Sequence, residues 1–335
     1  MFSRKLERYG SAQISGKVNQ KAIPHLKERH YYIVDIPLDG DAPKQYIKAY
    51  FHYKNCPKIG KPSTWNGFFA KSGGKSYPHE SVTEFLINKI GESLGLKMNE
   101  TRLIIANGQI RFLSQDFIKS GQKLIHGIEI LAEYYEDKDF VLEINKDRKN
   151  RRAYLTFEEI EKSIIHVYPK ESDDLLASLI QLITYDAIVG NNDRHFYNWG
   201  VIGDIFNSET TEVVFAPVYD SARALLWNKM EVKVLEMYHQ FNSGSNELDY
   251  YINKSKPRFS FDENPEANHF ELMGYLSNYK SNYKAIIAKL INVDTENTVT
   301  RELKGHISCF FSKERSILVE AILKKRFDKL RSVII

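Results

Sequence analysis

The sequence predicts an α+β protein of two lobes, a sheet-rich lobe over residues 1–119 and a mainly helical lobe over 120–335. Three observations carry this. Residues 31–118 hold short runs of aromatic and β-branched residues separated by turn residues. A single helical pattern, HESVTEFLINKIGESLG (79–95), interrupts them. The later part of the chain holds long apolar stretches of helical character, beginning with LLASLIQLITYDAIV (175–189).

The elements follow in order. YYIVDI (31–36), YIKAYFHY (46–53) and GFFAK (67–71) read as strands. The last two are joined by NCPKIGKPSTWN, a loop of Pro, Gly, Ser and Lys. In the helix, Val82, Phe85, Leu86, Ile90 and Leu94 share one face, and Gly95 is placed to end it. TRLIIANGQIRFLSQDF (101–117) reads as a hairpin turning at Asn107-Gly108. Ser172 is the expected N-cap of the buried helix, with Asp173 and Asp174 in its first turn. VVFAPVYD (213–220) reads as a strand, and residues 228–262 as polar and irregular with a flexible Ser243–Asn246. Further helices are expected near 268–290 and 312–331. The basic stretch KKRFDKLR (324–331) reads as the solvated face of the last one.

Composition narrows the function classes. The chain has 335 residues, 42% apolar and 27% charged, ordinary values for a globular protein. Its formal charge of +4 is too mild to point to direct nucleic-acid binding. No apolar run approaches the roughly 20 residues that span a bilayer, so no membrane role is expected. Two distant cysteines, Cys56 and Cys309, offer no disulfide framework and no zinc spacing. With no apolar leader in MFSRKLERYG, the expected location is the cytoplasm.

The chemistry concentrates in GNNDRHFYNWG (190–200). The buried helix delivers Asp193 onto a loop, Asn198 follows at the spacing D-x4-N, and the next strand ends at Asp220. Two carboxylates and an amide in this order suit phosphoryl transfer. One Asp deprotonates or orients the attacking hydroxyl, while the Asn and the second Asp supply hard oxygen ligands for Mg²⁺. D-x4-N alone recurs by chance about once or twice in a chain of this size. The order gives it weight: a lysine strand, a glutamate helix, a hairpin, a buried helix, D-x4-N, then a strand ending in Asp is kinase-like. His195 has no metal-ligand spacing around it and reads as a loop-structuring residue.

Gly190, Asp193, His195 and Asn198, followed by Ala216, Pro217, Tyr219 and Asp220, resemble the two signature segments of the HipA-type serine/threonine kinases. TEFLINKIGESLGL resembles that family's N-lobe helix, with Glu84 at its glutamate position. The likeness extends over about residues 45–330 and implies a two-lobed protein-kinase-like fold using ATP and Mg²⁺. It implies that Asp193 is the catalytic base and that Asn198 and Asp220 are magnesium ligands. A strand lysine, Lys71 or as second choice Lys48, would touch the α- and β-phosphates and pair with Glu84. Gln115 and Phe117 fall where the adenine-binding hinge would be.

The usual glycine-rich phosphate loop is missing. KIGKPSTW (58–65) stands in its expected place, with Ser63 or Thr64 as candidate autophosphorylation sites, while SGGK (72–75) reads as a flexible turn, with a phosphate contact as the alternative. The resemblance is to the compact members, which implies a bacterial cytoplasmic toxin kinase with a protein substrate and an antitoxin or small N-subdomain-like protein as partners. Two other readings remain at this point: a small-molecule or lipid phosphotransferase on the same fold, and a non-catalytic pseudokinase module.

Overall fold

The computed structural model describes residues 5–9, 18–38, 43–52, 59–73, 79–204 and 212–334. Cys56, Gly74 and Lys75 therefore lie outside the described residues. Strands β1 (Tyr31–Ile33), β2 (Lys44–Ala49), β3 (Asn66–Lys71), β4 (Thr101–Ala106) and β5 (Gln109–Gln115) form an antiparallel sheet in the order β1-β2-β3-β5-β4. The β4–β5 turn is at Asn107-Gly108, with φ of 47° and 68°, the left-handed pair that a tight hairpin needs.

Strand periodicity sorts the two faces of this sheet. Ile47, Ala49, Phe68, Ala70, Ile104 and Leu113 point into a small core that also takes in Leu6, Leu26 and Tyr31. Their neighbours Tyr46, Phe69 and Lys71 must face the other way, toward the helix α1 (Glu80–Ser93). That helix ends as expected at Gly95, whose φ is +76°. It is more deeply buried than a one-sided amphipathic pattern implies: Ser81, Thr83 and Glu84 are buried along with Val82, Leu86 and Ile90. The cause is α11 (Val293–Phe310), a helix the sequence reading did not anticipate, which packs on the outer side of α1. Phe85 meets His306 and Phe310 there, edge to face at 6.1 and 6.2 Å.

Beyond β5 the chain is mostly helical. Strand β6 (Gln122–His126) leads through α2 (Gly127–Tyr135), α3 (Lys138–Lys146), α4 (Arg148–Tyr154) and α5 (Phe157–Val167) to α6 (Ser172–Val189). β6 pairs with β7 (Gly200–Asp204), which pairs with β8 (Val214–Phe215). The approach is close: a Cβ on Gly200 would stand 2.2 Å from the Ile125 carbonyl oxygen. Helices α7 (Glu231–Asn242), α8 (Glu247–Asn253), α9 (His269–Tyr279), α10 (Ser281–Ile291) and α12 (Lys313–Val333) complete the lobe. Among the described residues no helix is long and apolar enough to cross a membrane.

Four expectations need correction. Ser172 is the first helical residue of α6 and not its N-cap; its hydroxyl donates instead to the Pro169 carbonyl at 3.2 Å. Residues 213–220 pair as a strand only over Val214–Phe215, because the prolyl ring at 217 has no N–H to continue the ladder. The stretch 228–262 is not irregular but carries α7 and α8, with Ser243–Asn246 as the turn between them. The stretch 324–331 is not simply solvated: Arg326 is 1% exposed, and its Nε donates to the Ala187 carbonyl at 2.7 Å. Composition could not show this, since a guanidinium inside a protein is sustained only by carbonyls that the tertiary fold brings to it.

Candidate active site

Helix α6 is apolar on all sides because it is surrounded; Leu179, Ile180, Ala187 and Ile188 are fully buried. The one carboxylate near its end, Asp186, is buried too, at 3% exposure. The helix stops at Gly190, whose φ of +76° lets the chain turn with its N–H on the Asp186 carbonyl at 2.8 Å. The polar loop that follows is then built around Asp186. Asn191 donates to its Oδ1 at 2.9 Å, and Arg194 grips both oxygens, through Nε at 2.8 Å and Nη2 at 3.0 Å.

Arg194 also ties the loop to the strand segment that ends at Asp220. Its Nη1 donates to the carbonyls of Asn198 at 2.8 Å and Tyr219 at 2.6 Å, and its Nη2 to the Ser221 hydroxyl at 2.7 Å. Burial disfavours its charge, but Asp186 more than compensates and raises its pKa. Neither Asp186 nor Arg194 was singled out from the sequence. Arg194 lies inside the D-x-x-x-x-N stretch, so an arginine next to the candidate base was the available signal.

On the other lobe, Lys71 ends β3 on the face turned toward α1. Its ammonium sits 3.0 Å from Glu84 Oε1 and 2.9 Å from Asp220 Oδ1. Burial opposes the lysine's charge, but the two carboxylates overcome it and raise its pKa. One ammonium shared by two carboxylates leaves one anion in excess. Burial pushes Glu84 up to about 7 against the pull of Lys71. Burial would also raise Asp220, but Lys71 holds it down at about 2. The Asp220 side chain is 43% exposed, so solvent screens part of that attraction. Asp220 has a φ of +53°, an uncommon conformation for a non-glycine residue that turns its carboxylate toward Lys71.

These groups line one cavity of about 1560 Å³. Asp193, Asn198, Asp220, Lys71 and Glu84 all face it, and so do Gln115 and Phe117 from the segment joining the lobes. Phe117 lies 5.7 Å from the ring of Tyr219, whose hydroxyl donates to the Tyr197 carbonyl at 3.0 Å. His195 lines the cavity as well, and its Nδ1 accepts from the Tyr197 N–H at 3.3 Å, a local loop contact.

Both oxygens of Asp193 are engaged. Arg258 Nη2 donates to Oδ1, and Arg223 Nε lies 3.1 Å from Oδ2. Two guanidiniums thus hold the Asp193 carboxylate in place, one at each side-chain oxygen. Neither arginine was anticipated, because nothing in their spacing links positions 223 and 258 to 193.

Two candidates are not brought to this centre. Lys48 shares the cavity-side face of β2 but pairs with Gly67, four residues along the strand from the partner of Lys71. That is about 13 Å away at the rise of a strand. Ser63 sits in a short exposed turn, Pro62–Thr64, and neither it nor Thr64 lines the cavity. The cavity wall is formed instead by Pro37, Leu38 and Lys44. These flank the β1–β2 connection, whereas KIGKPSTW joins β2 to β3.

The Asn198 amide nitrogen donates to the Asp193 carbonyl at 2.9 Å, which leaves the amide oxygen as the side chain's acceptor. With the Asp220 carboxylate it makes a pair of hard oxygen donors, suited to Mg²⁺ whose other ligands come from phosphates and water. Among the described residues no cluster of three His, Cys, Asp or Glu groups offers a closed protein cage.

Residues 37–298 match the family model described as the HipA-like C-terminal domain. This chain belongs to that family. It is 25% identical over 171 residues to the serine/threonine-protein kinase CtkA of Helicobacter pylori. That alignment spans 50% of this chain and 48% of the relative, about half of each. Among solved structures it is similar to the H. pylori proinflammatory kinase CtkA, with a TM-score of 0.64 and 19% identity over 86% of this chain and 92% of that one. It is also similar to HipA of Shewanella oneidensis, solved with HipB and operator DNA, with a TM-score of 0.53 and 11% identity over 88% of this chain and 65% of that one. The two-lobed kinase-like fold thus agrees with the structural neighbours.

A buried histidine under the loop gives a pH prediction. His269 opens α9, is 1% exposed and lies against the Asn191 backbone. Burial, with Arg326 adding to it, lowers its pKa well below 6.5, while the Asn191 contact works the other way. The unfolded chain therefore takes up a proton at this ring that the folded chain refuses. Its contribution is fully present above the unfolded pKa of 6.5 and is lost as pH falls toward the folded value. Urea midpoints at about pH 7.5 and about pH 5 are expected to differ more for the wild type than for His269→Gln. Equal differences would remove His269 as a source of the pH dependence.

Proposed function

We propose that this protein is a Mg²⁺-dependent kinase that transfers the γ-phosphoryl group of ATP to a serine or threonine hydroxyl of a protein. The observation that carries the reading is the Lys71 ammonium, bridged to Glu84 and Asp220 in the cavity that Asp193 and Asn198 also line. Those are the groups that a kinase needs to hold a polyphosphate and deprotonate an acceptor. The lobe boundary near residue 119 follows from the same reading, since Gln115 and Phe117 form the hinge side of the cavity.

In this mechanism Lys71 binds the α- and β-phosphates and Glu84 keeps it aimed. Asp220 and Asn198 would hold the magnesium, which supplies charge neutralisation to the phosphates. Asp193 orients the acceptor hydroxyl and takes its proton as the oxygen bonds to phosphorus and ADP leaves. Arg194 keeps Asp193, Asn198 and Asp220 on one rigid frame. The relative named as a serine/threonine-protein kinase and the HipA–HipB pair support a bacterial setting, a protein acceptor and an antitoxin-like partner.

The test is intact-mass measurement and ADP release after incubation with Mg-ATP, with and without candidate protein acceptors, beside Lys71→Met. Phosphate gain by the protein or an acceptor in the wild type alone is the expected outcome. Release of ADP only when a metabolite is added would move the reading to a small-molecule phosphotransferase. Absence of any nucleotide binding would leave a non-catalytic module.

A further inference from the structure

The kinase reading requires Glu84 to stay beside Lys71, and so requires α1 to keep a fixed position over the cavity. The start of α1 is fastened to the helical lobe by a buried polar cluster that lies outside the cavity. His79 is the N-cap residue of α1, but its ring makes no capping bond to its own helix. It is buried, and its Nε2 lies 3.3 Å from Oε1 of Glu231, the first residue of α7. Burial, with the charge of Arg315 adding to it, pushes the imidazole down to about 4, although Glu231 pulls the other way. The ring is therefore neutral near pH 7 and meets Glu231 as a polar group, not as a cation. Glu80 and Ser81, which follow His79, line the cavity, and so does Glu84 one turn further on.

Glu231 is tied equally firmly to the segment that leaves Asp220. The Ser312 hydroxyl donates to its Oε2 at 2.8 Å, and Arg315 Nε donates to its Oε1 at 2.7 Å. Arg315, on α12, is fully buried, and its other nitrogens donate to the carbonyls of Leu226 at 3.2 Å and of Lys229. Leu225 and Leu226 are both buried with φ of 47° and 63°, a left-handed turn that leucine seldom adopts. Such a turn persists only where its surroundings over-determine it, and Arg315 supplies that hold at Leu226. One carboxylate thus joins three pieces of the molecule: the start of α1, the turn that follows Asp220, and α12.

We propose that Glu231 is a positioning residue for phosphoryl transfer, which locks α1 and the segment from Asp220 to Glu231 into the geometry that keeps Glu84 and Asp220 on Lys71. In protein kinases, phosphate added to the segment after the metal-binding aspartate orders it and sets the glutamate helix. Here an encoded carboxylate makes the link, so its assembly needs no phosphate on that segment. The inference rests on the kinase reading and adds to it a residue that does not itself line the cavity. Because α11 holds the outer side of α1 through Phe85, breaking the link at His79 should loosen the end that carries Glu84 without unfolding the helix.

The test is single-turnover conversion of Mg-ATP to ADP by the wild type, His79→Leu, His79→Gln, Glu84→Gln, and His79→Leu combined with Glu84→Gln, with the melting temperature of each protein as a folding control. His79→Leu cuts the α1 side of the link while Glu231 and Arg315 stay paired, so the protein should fold. Loss of one contact to a buried carboxylate is expected to slow the conversion about 10-fold. His79→Gln, which restores an N–H donor, should recover most of the rate. The combined variant should be no slower than Glu84→Gln alone, since both changes act through the aim of Lys71. A wild-type rate in His79→Leu would overturn the proposal, and so would losses that multiply in the combined variant, which would mark a general effect on the fold. Either result, with an active wild type, would leave the kinase reading standing. A wild type that converts no Mg-ATP would remove the kinase reading and this proposal with it.

Discussion

Asp193→Asn is expected to lower phosphate transfer by about 10²–10⁴-fold while leaving Mg-ATP binding within a few-fold of the wild type. The amide keeps the shape of the side chain but cannot take up the acceptor's proton. Asp193 is not in contact with Lys71, whose carboxylate partners are Glu84 and Asp220, so the phosphate side is left intact. The variant does disturb Arg258 and Arg223, which lose an anionic partner. Both guanidiniums are partly exposed, at 22% and 32%, so the cost to folding should be small. Single-turnover transfer rates and calorimetric binding on the same preparations would separate the two effects. A variant that transfers phosphate at the wild-type rate would exclude Asp193 as the base.

Asp186→Ala is expected to destabilise the protein by about 3–5 kcal/mol, the cost of leaving a buried charge without its partner. Arg194 is 1% exposed on its side chain and Asp186 5%, so neither can turn to water when the other is removed. Arg194 would keep only its bonds to the carbonyls of Asn198 and Tyr219 and to Ser221. Replacing both residues together, Asp186→Leu with Arg194→Met, should cost less than the single change, because no orphaned guanidinium remains. Urea unfolding of the three proteins gives the comparison. A loss below about 1 kcal/mol for Asp186→Ala would show that the pair does not hold the loop.

How much of this was legible beforehand depends on the range of the interaction that fixes each feature. The β4–β5 hairpin was readable because Asn107-Gly108 encodes its left-handed turn locally. The α1 helix was readable from its own apolar spacing and Gly95. Its second buried side was not, since α11 comes from more than two hundred residues away in the chain. Helices α7 and α8 were missed because their apolar residues do not sort cleanly to one face: Val234 and Met237 are buried in one and Leu248 and Ile252 in the other, while Val232, Leu235 and Tyr250 are exposed. With so little periodic signal, helix formation there depends on packing against α12.

The site divides in the same way. The residue types at 193, 198 and 220 and their order along the chain raised the expectation of phosphate chemistry, because that reaction calls for such functional groups. The sequence by itself determined the alternation of strands and helices and the chemical inventory of the cavity. The choice of Lys71 over Lys48, the pairing with Glu84 and Asp220, and the arginines on Asp193 and Asp186 were decided by tertiary structure. Each of these depends on strand register or on contacts between distant segments, and a one-residue change of register would turn every strand side chain to the opposite face. Local spacing carries the first kind of information; only the folded chain, which sets those distances and removes water from around the charges, carries the second.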